Sequence, residues 1–300
     1  MDWLRLLPRR WHVTARWWEV ANHLARVPER DVESVVIPCV GAKYVAEARL
    51  CARFAARNLP AAREIIIATD QPPADFGELP APARVEQVRI PAAEIPDGHP
   101  FANIWHSRLM KLRAPLLARH DVVLMIDSDL LLLRSFRVPV APGVVYGTLF
   151  RGKIGHRMKK HLAVAPELRA ASRLWVRYHI NGGFLLADGG TWQALSERWT
   201  GNYQRLWHKL PAETPVDQIP LVQSLDELGI LTVDLGPWHN WSVPKRAGGI
   251  TAPLPPEVIG AHGGFPLSEW ERYWGNPQAA LSFLGEDYTR KTRYQKAATE

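Results

Sequence analysis

The sequence predicts a mixed α/β domain in which a mostly parallel sheet is flanked by helices. From residue 32 onward, short apolar runs alternate with segments of helical periodicity, the pattern of a parallel sheet with crossover helices. The apolar run 122–126 leads into two carboxylates, Asp127 and Asp129, and open α/β sheets bind ligands beyond the carboxyl ends of their strands. The chain has 300 residues, 47% hydrophobic and 22% charged, which is enough to bury a globular core.

The first half of the chain predicts four strands and two helices. The first helix, 43–58, is closed before Pro60, because a proline disfavours helical geometry in the residue before it. The second helix is defined by apolar residues at helical spacing from Trp105 to Leu116. A proline-rich stretch, 71–82, predicts a loop between the second and third strands. The strands are predicted at 34–38, 64–68, 84–90 and 122–126.

The second half of the chain contains no comparable run of parallel strands. Two strands are predicted around polar turns, at 144–147 and 181–187, followed by a helix at 191–206. A short strand is predicted at 258–259. The sequence contains no internal repeat at solenoid periods and no low-complexity tract, so we expect a single mixed domain with terminal helices.

The two ends of the chain differ in composition from this domain, which we expect to cover 31–275. Residues 1–30 interleave six arginines with four tryptophans and predict a basic, tryptophan-rich helical extension, and 276–300 predict a helical tail. The N-terminal composition suits a helix lying in a membrane interface, and equally a helix packed on the domain with its arginines solvated. A second basic cluster, 151–160, suits an anionic acceptor, lipid head groups or a solvated loop.

Cysteine content and hydropathy predict a cytoplasmic protein, with contact to the inner face of a membrane left open by the N-terminal extension. Cys39 and Cys51 cannot make a disulfide framework and lack metal-site spacing, so both are interpreted as core residues. No apolar run reaches the roughly 20 residues that span a bilayer, and the first residues lack the core of a signal peptide. The formal net charge is +7, but no nucleic-acid-reading motif accompanies it, so nucleic acid is not an expected partner.

The pair Asp127 and Asp129, separated by Ser128, is the strongest local signal. Successive strand residues alternate between faces, so two carboxylates at this spacing are expected to converge on one cation or one reacting group. Hard divalent cations take oxygen ligands and are commonly held by one or two carboxylates together with phosphate oxygens. A turn in which both aspartates bind backbone amides is the alternative, and the pair alone does not decide between them.

Further landmarks follow one another along the chain. Tyr44 comes just after the first strand, Lys111 lies 16 residues before Asp127, and His262 comes far downstream. Asn181-Gly182-Gly183, Asp217-Gln218, Asn240 and Trp270 complete the series. Their order and spacing resemble those of glycosyltransferase family 8, the glycogenin-like group of nucleotide-sugar transferases with the GT-A fold. Each landmark alone has an ordinary structural explanation, so the resemblance depends on their collinear order over roughly 32–275.

The resemblance implies transfer of a sugar from a nucleoside diphosphate sugar, in that family a UDP-sugar, to a glycan or lipid-linked acceptor with retention at the anomeric carbon. It implies Mn²⁺ or Mg²⁺ held by Asp127, Asp129 and His262, with Asp217 and Gln218 bordering the reacting sugar. Asp217 either attacks as a nucleophile or only shapes the site, and we favour the second because no partner carboxylate is evident. The residues implied to bind the donor are Tyr44, Arg108, Lys111, Ser128, Asn181, Gly182, Gly183 and Asn240. Among these, Tyr44 occupies the position at which the family has a tyrosine that stacks on uracil.

The sequence departs from the family after His262. The family follows its histidine with a glycine and then with a Lys-Pro-Trp motif whose lysine contacts the diphosphate. This chain has Phe265, Ser268 and Glu269 at those positions. The diphosphate therefore lacks one expected cation, for which Lys245, Arg246 and Arg272 are candidate substitutes.

Other classes of protein share single features of this sequence. Haloacid-dehalogenase-like phosphatases also carry Asp-x-Asp after a strand, but near the N-terminus and with Thr or Val where this chain has Leu131. A nucleotidyltransferase is disfavoured because 36–41 lacks a glycine-rich phosphate loop. A non-catalytic protein that binds sugar nucleotides stays an alternative because of the altered histidine motif.

Overall fold

The computed structural model describes residues 24–149, 180–210, 215–242 and 256–262. Within these residues the chain forms a central seven-stranded sheet packed between helices, so the predicted mixed α/β fold class is confirmed. Four of the six strand pairings in this sheet are parallel and two are antiparallel. The sheet is therefore mostly parallel, as expected.

The parallel half of the sheet is built from nearly continuous buried apolar runs, as parallel strands covered on both faces require. The central strands are β2 (Ser34–Cys39), β3 (Glu64–Thr69) and β5 (Val122–Ile126), and almost all of their residues are buried. An edge strand, β4 (Ala83–Gln87), pairs with β3 and is half-exposed. The crossover from β2 to β3 is helix α1 (Val45–Asn58), which gives the sheet a βαβ unit.

The other half of the sheet is mixed. Strand β9 (Ile180–Asp188) runs antiparallel to both of its neighbours, β5 and β8 (Val144–Leu149). A short strand, β10 (Leu231–Asp234), pairs parallel to β8 at the far edge. The order across the sheet is β10-β8-β9-β5-β2-β3-β4, which puts β5 at its centre.

Two hydrophobic cores cover the two faces of the sheet. Helix α1 packs on one face. The other face is covered by α2 (Ala102–Arg113), α3 (Gly189–His208) and α4 (Gln218–Glu227). Buried tryptophans fill this second core. Three of their indole N–H groups donate to backbone carbonyls, as is usual for buried indoles, whereas Trp105 Nε1 has no partner among the described residues. Trp192 donates to Val123 at 3.0 Å, Trp199 to Asp217 at 2.8 Å, and Trp207 to Val216 at 3.0 Å.

Two smaller sheets extend the central one. Strand β6 (Leu130–Leu132) pairs antiparallel with β12 (Gly260–His262), which in turn pairs with β11 (Trp241–Ser242). Strand β1 (Glu29–Asp31) pairs antiparallel with β7 (Arg137–Pro139) and spans the boundary predicted between residues 30 and 31. The three-stranded sheet joins distant parts of the chain next to Asp127.

Several element bounds differ from the sequence prediction. The third strand ends at Gln87 instead of residue 90, because its parallel pairing with β3 ends at Thr69. The strand predicted at 258–259 begins two residues later, at Gly260, where it finds β6 as a partner. The prediction missed β10, a four-residue strand that is only half-buried at the sheet edge and therefore carries a weak hydrophobic pattern.

Some predicted segments fall outside the described residues. These are residues 1–23 of the basic extension, the cluster 151–160, Trp270, the candidate cations Lys245, Arg246 and Arg272, and the tail 276–300. In the described part of the chain, no helix combines the length and the apolar character needed to cross a membrane.

Candidate active site

Asp127, Ser128 and Asp129 form a tight turn between β5 and β6 at the centre of the sheet. The turn is closed by a hydrogen bond from Leu130 N to Asp127 O at 3.0 Å, and Asp127 N donates to Gly183 O at 3.0 Å. The sequence argument that strand alternation aligns the two carboxylates was therefore wrong in its geometry. The turn, and not the pleat of a strand, brings the two acids together.

Helix α1 supports this turn from one side through two polar side chains. The Cys51 thiol donates to Leu130 O at 3.0 Å, and Asn58 Nδ2 donates to Leu132 O at 2.8 Å. Burial raises the pKa of the Cys51 thiol well above its ordinary value, so it stays a neutral donor. The sequence interpretation of Cys51 as a core residue fits its burial but missed its hydrogen bond, and no sequence pattern pointed to Asn58.

His262 reaches the turn from the last described strand. It lies at the end of β12, where the antiparallel register sets it opposite Leu130, and its Nε2 is 3.3 Å from Asp129 Oδ1. Burial disfavours the charged imidazole, but the contact with Asp129 and the field of the two aspartates outweigh it and raise the pKa of His262. Ligand atoms of Asp127, Asp129 and His262 all lie within 4.8 Å of one another.

Lys111 lies behind this cluster and bridges two carboxylates. Its side chain is 5% exposed, and its Nζ is 2.7 Å from Asp127 Oδ1 and 3.0 Å from Asp217 Oδ2. Arg108, one helical turn earlier in α2, approaches Asp217 at 3.9 Å. Burial opposes ionisation of Asp217, but the two cations outweigh it and hold the pKa of Asp217 far below its ordinary value. The same two aspartates raise the pKa of Lys111 against the effect of burial.

The Asn181-Gly182-Gly183 segment of β9 passes directly against these charged groups. A Cβ built at Gly183 would lie 2.6 Å from Asp127 Oδ2, and one at Gly182 would lie 3.5 Å from Asp217 Oδ2. Gly183 N donates to Asn181 Oδ1 at 2.8 Å, which turns the amide of Asn181 back onto the segment. Gly183 is required because a Cβ there would overlap the Asp127 carboxylate, whereas a Cβ at Gly182 would make only ordinary van der Waals contact.

The remaining predicted residues surround this centre at different distances. Asn240 lies at the end of the 3-10 turn before β11, buried, and neither polar atom of its side chain has a hydrogen-bond partner among the described residues. Asp217 immediately precedes α4 without capping it, and Gln218 is the first residue of that helix. Tyr44 is 38% exposed beyond the end of β2, with Lys43 Nζ 4.7 Å from its ring centre.

The ligand types of the three-residue cluster fit a divalent cation. Two carboxylates and one imidazole suit a Mn²⁺ or Mg²⁺ ion that also takes phosphate oxygens. Lys111 binds Oδ1 of Asp127, and the backbone of Gly183 packs against Oδ2. Such interactions behind the ligands orient them for the metal, which is how protein metal sites are tuned.

No protein-family model matches the chain, and no curated protein matches it. Solved structures do resemble its fold. The galactosyltransferase LgtC, in complex with donor and acceptor sugar analogues, is 14% identical, with 88% of this chain and 99% of that chain covered and a TM-score of 0.48. An active-site variant of LgtC is 12% identical over the same shares, with a TM-score of 0.49.

The glycosyltransferase GlyE of Streptococcus pneumoniae, in its apo form, is 14% identical, with a TM-score of 0.50. The match covers 85% of this chain but only 63% of GlyE, so the chain spans less than two thirds of that protein. This likeness shows that the chain has the fold of GlyE, in agreement with the GT-A fold predicted from the sequence.

Proposed function

We propose that this chain is a metal-dependent glycosyltransferase that moves a sugar from a nucleoside diphosphate sugar, most simply a UDP-sugar, to a glycan or lipid-linked acceptor. The observation that carries the proposal is the convergence of Asp127, Asp129 and His262 next to the buried ion pairs of Lys111. The fold shared with GlyE, itself named a glycosyltransferase, supports the same reaction class.

The charge of the site explains why a metal would be needed. Asp127, Asp129 and Asp217 face Lys111 and Arg108, so three carboxylates meet two cations. The formal charge is −1 when His262 is neutral, the form that binds a metal, and zero when His262 is protonated. In neither state would the site attract a diphosphate. A bound Mn²⁺ or Mg²⁺ would make the charge of the site positive and act as a Lewis acid on the departing diphosphate. Donor binding should therefore depend on the divalent cation.

Lys111 acts in this scheme as a positioning residue. Its ammonium is shared by two aspartates and so contributes little free positive charge toward the donor, in contrast to the role that the resemblance implied. Its contact with Asp127 Oδ1 orients the carboxylate that would hold the cation. Its contact with Asp217 keeps that carboxylate ionised and fixed beside Gly182. The buried ammonium of Lys111 thus links Asp127, at the proposed metal site, to Asp217, at the proposed sugar site.

For Asp217 we propose a shaping role and retention at the anomeric carbon. A carboxylate held by Lys111 at 3.0 Å and approached by Arg108 has much of its charge neutralised, which makes it a poor nucleophile. Held in this way, Asp217 would instead shape the pocket beside the reacting sugar as a fixed hydrogen-bond acceptor. Gln218 and Asn240, whose buried amide lacks a partner among the described residues, would bind sugar hydroxyls.

A thermal-shift screen of the intact chain tests the proposed function. Nucleoside diphosphates and their sugar conjugates should raise the melting temperature only together with Mn²⁺ or Mg²⁺, because a ligand stabilises the native state to which it binds. Asp129→Asn should abolish the shift, whereas Asp75→Asn, at an exposed loop carboxylate, should retain it. The phosphatase alternative requires hydrolysis of a generic phosphate ester that Asp127→Asn abolishes. That activity, without any nucleotide-dependent shift, would refute the proposal.

A further inference from the structure

We propose that Asp70 forms a second part of the donor site, where its carboxylate accepts hydrogen bonds from the vicinal ribose hydroxyls of a nucleoside diphosphate. The inference rests on the proposed function. It concerns the ribose of the donor, for which the residues discussed so far provide no binding partner. Asp70 is the first residue after β3, and it lies at the same edge of the sheet as the Asp127 turn.

Strand register sets the separation between Asp70 and the metal cluster. Val36 of β2 pairs with Met125 of β5, and Cys39 of β2 pairs with Thr69 of β3. Asp127 and Asp70 thus follow the two strands that flank β2. Their Cα atoms are separated by two strand spacings across the sheet and by two residues along it, which amounts to about 12 Å. A ribose linked to a diphosphate can span that distance when the diphosphate is bound at the cation and the ribose at Asp70.

The carboxylate of Asp70 has one oxygen fixed and one available. Gly41 N donates to Oδ1 at 2.9 Å, which ties the loop after β2 to the end of β3. The other oxygen, Oδ2, is 3.9 Å from His106 Nδ1, which is beyond hydrogen-bonding distance. The side chain is 23% exposed. Asp70 therefore offers acceptor lone pairs at the surface of the site from a carboxylate that is already held in place.

The space beside Asp70 is open and lies next to the residue expected to contact the base. A Cβ built at Gly41 would meet nothing within 4 Å, so no side chain fills that side of the loop. Tyr44 follows three residues later and is 38% exposed. A nucleoside whose base contacts Tyr44 would therefore bring its ribose toward Asp70.

The chemistry of a carboxylate selects a hydroxyl donor over a phosphate. An ionised carboxylate only accepts hydrogen bonds and repels phosphate oxygens, whereas two neighbouring hydroxyls both donate to it. In dinucleotide-binding α/β sheets, an acidic residue after the second strand of the first βαβ unit binds the ribose in this way. Here β2, α1 and β3 form such a unit, and Asp70 directly follows its second strand.

Calorimetric titrations in the presence of Mn²⁺ test the inference. The probes are UDP, ADP, GDP and CDP, with pyrophosphate as a ligand that lacks the nucleoside. Asp70→Asn keeps an oxygen for Gly41 and replaces the free oxygen with an amide donor. It should weaken the tightest nucleoside diphosphate by about tenfold or more, as expected for a lost hydrogen bond to a charged group, and leave pyrophosphate affinity unchanged. The matched control Asp75→Asn should change neither affinity.

The 2′-deoxy form of the tightest-binding nucleoside diphosphate tests whether Asp70 contacts the ribose hydroxyls. It should bind the wild type more weakly than the parent nucleotide, and this difference should disappear in Asp70→Asn. Equal binding of the parent nucleotide to the wild type and to Asp70→Asn would overturn the inference, as would an equal loss for nucleotide and pyrophosphate. A wild type that binds pyrophosphate and no nucleoside diphosphate would overturn the proposed function itself, so the two failures are distinguishable.

Discussion

At the scale of single residues, the site is organised by one buried ammonium group. Lys111 touches Asp127 at 2.7 Å and Asp217 at 3.0 Å, and these two carboxylates come from chain positions 90 residues apart. Burying an ion pair adds little net stability, but removing one partner leaves charges that neither water nor protein compensates. Lys111 therefore holds these two carboxylates in fixed positions.

Replacing Lys111 should destabilise the fold more than a typical substitution. Lys111→Met leaves Asp127 without its buried cation and Asp217 with Arg108 alone, and should cost about 3–5 kcal/mol in the free energy of unfolding near neutral pH. Chemical denaturation measures this loss. Lys43→Met, at an exposed position where only the contact with the Tyr44 ring is lost, is the control and should lose no more than about 1 kcal/mol. If the two variants prove equally stable, Lys111 is not the counter-ion of these aspartates.

Asp217 should make stability depend on pH in the acid range. Its folded pKa is lowered, so the native state binds this proton less readily than the unfolded state. The stabilisation is full above the ordinary pKa of an aspartate, about 3.9, and is lost as the pH falls from there through the folded pKa. In denaturation series below about pH 4, Asp217→Asn should lose stability with falling pH less steeply than the wild type, by up to about 1.4 kcal/mol per pH unit. Parallel curves would contradict this assignment.

At the scale of elements, three separate parts of the chain converge on the Asp127–Asp129 turn. Helix α1 holds it through Cys51 and Asn58, and β12 brings His262 to it by pairing with β6. Strand β9 passes so close that only glycine fits at residue 183. The turn is thus fixed on several sides before any ligand binds, which is the preorganisation that a metal site requires.

Gly183→Ala tests whether the close approach of β9 matters for the site. The new Cβ would lie 2.6 Å from Asp127 Oδ2, so that carboxylate must move. Mn²⁺ affinity measured by calorimetry should fall about 10- to 100-fold, as for other disturbances of groups that orient metal ligands. Gly201→Ala is the matched control, because a Cβ there meets nothing within 4 Å in the exposed part of α3. The control should retain affinity and gain about 0.5–1 kcal/mol of stability. Equal affinities in both variants would contradict the prediction.

At the scale of the whole molecule, the sheet order explains why distant residues form one site. The central strands β2, β3 and β5 are parallel, so their carboxyl ends lie at one edge and carry Tyr44, Asp70 and Asp127 respectively. Antiparallel β9 enters at the same edge and brings Gly182 and Gly183 to it. We therefore propose the edge at which β5 ends as the functional edge, because open α/β sheets bind ligands beyond the carboxyl ends of their strands.

The sequence predicted the central strands well because their residues are buried on both faces and read as unbroken apolar runs. It could not predict β10, whose four residues are half-exposed, or the start of β12, which is set by its partner β6. The two aspartates were recognisable as a pair, but their convergence through a turn depends on contacts with α1 and β9. Likewise, the pairing of Lys111 with Asp217 arises only when folding brings the residue that precedes α4 next to α2.

The basic extension at 1–30 remains our hypothesis for contact with a membrane that carries the acceptor. Residues 1–23 carry four of its six arginines and all four tryptophans, a composition that suits an anionic interface, whereas Arg30 lies in β1 and pairs with Asp121. The intact chain should pellet with vesicles containing phosphatidylserine and should pellet less in high salt, because screening weakens the attraction. A chain lacking residues 1–23, which keeps β1 intact, should stay in the supernatant. Equal pelleting of the two chains would end this hypothesis.

The central claim is that Asp127, Asp129 and His262 together hold a divalent cation on which the donor depends. The most direct measurement is an anomalous difference map from a crystal of the intact chain soaked with Mn²⁺ and UDP. We expect one peak bound by both aspartates and by His262 Nε2, and in contact with diphosphate oxygens. A peak elsewhere, or a nucleotide bound with His262 turned away from the turn, would contradict the account.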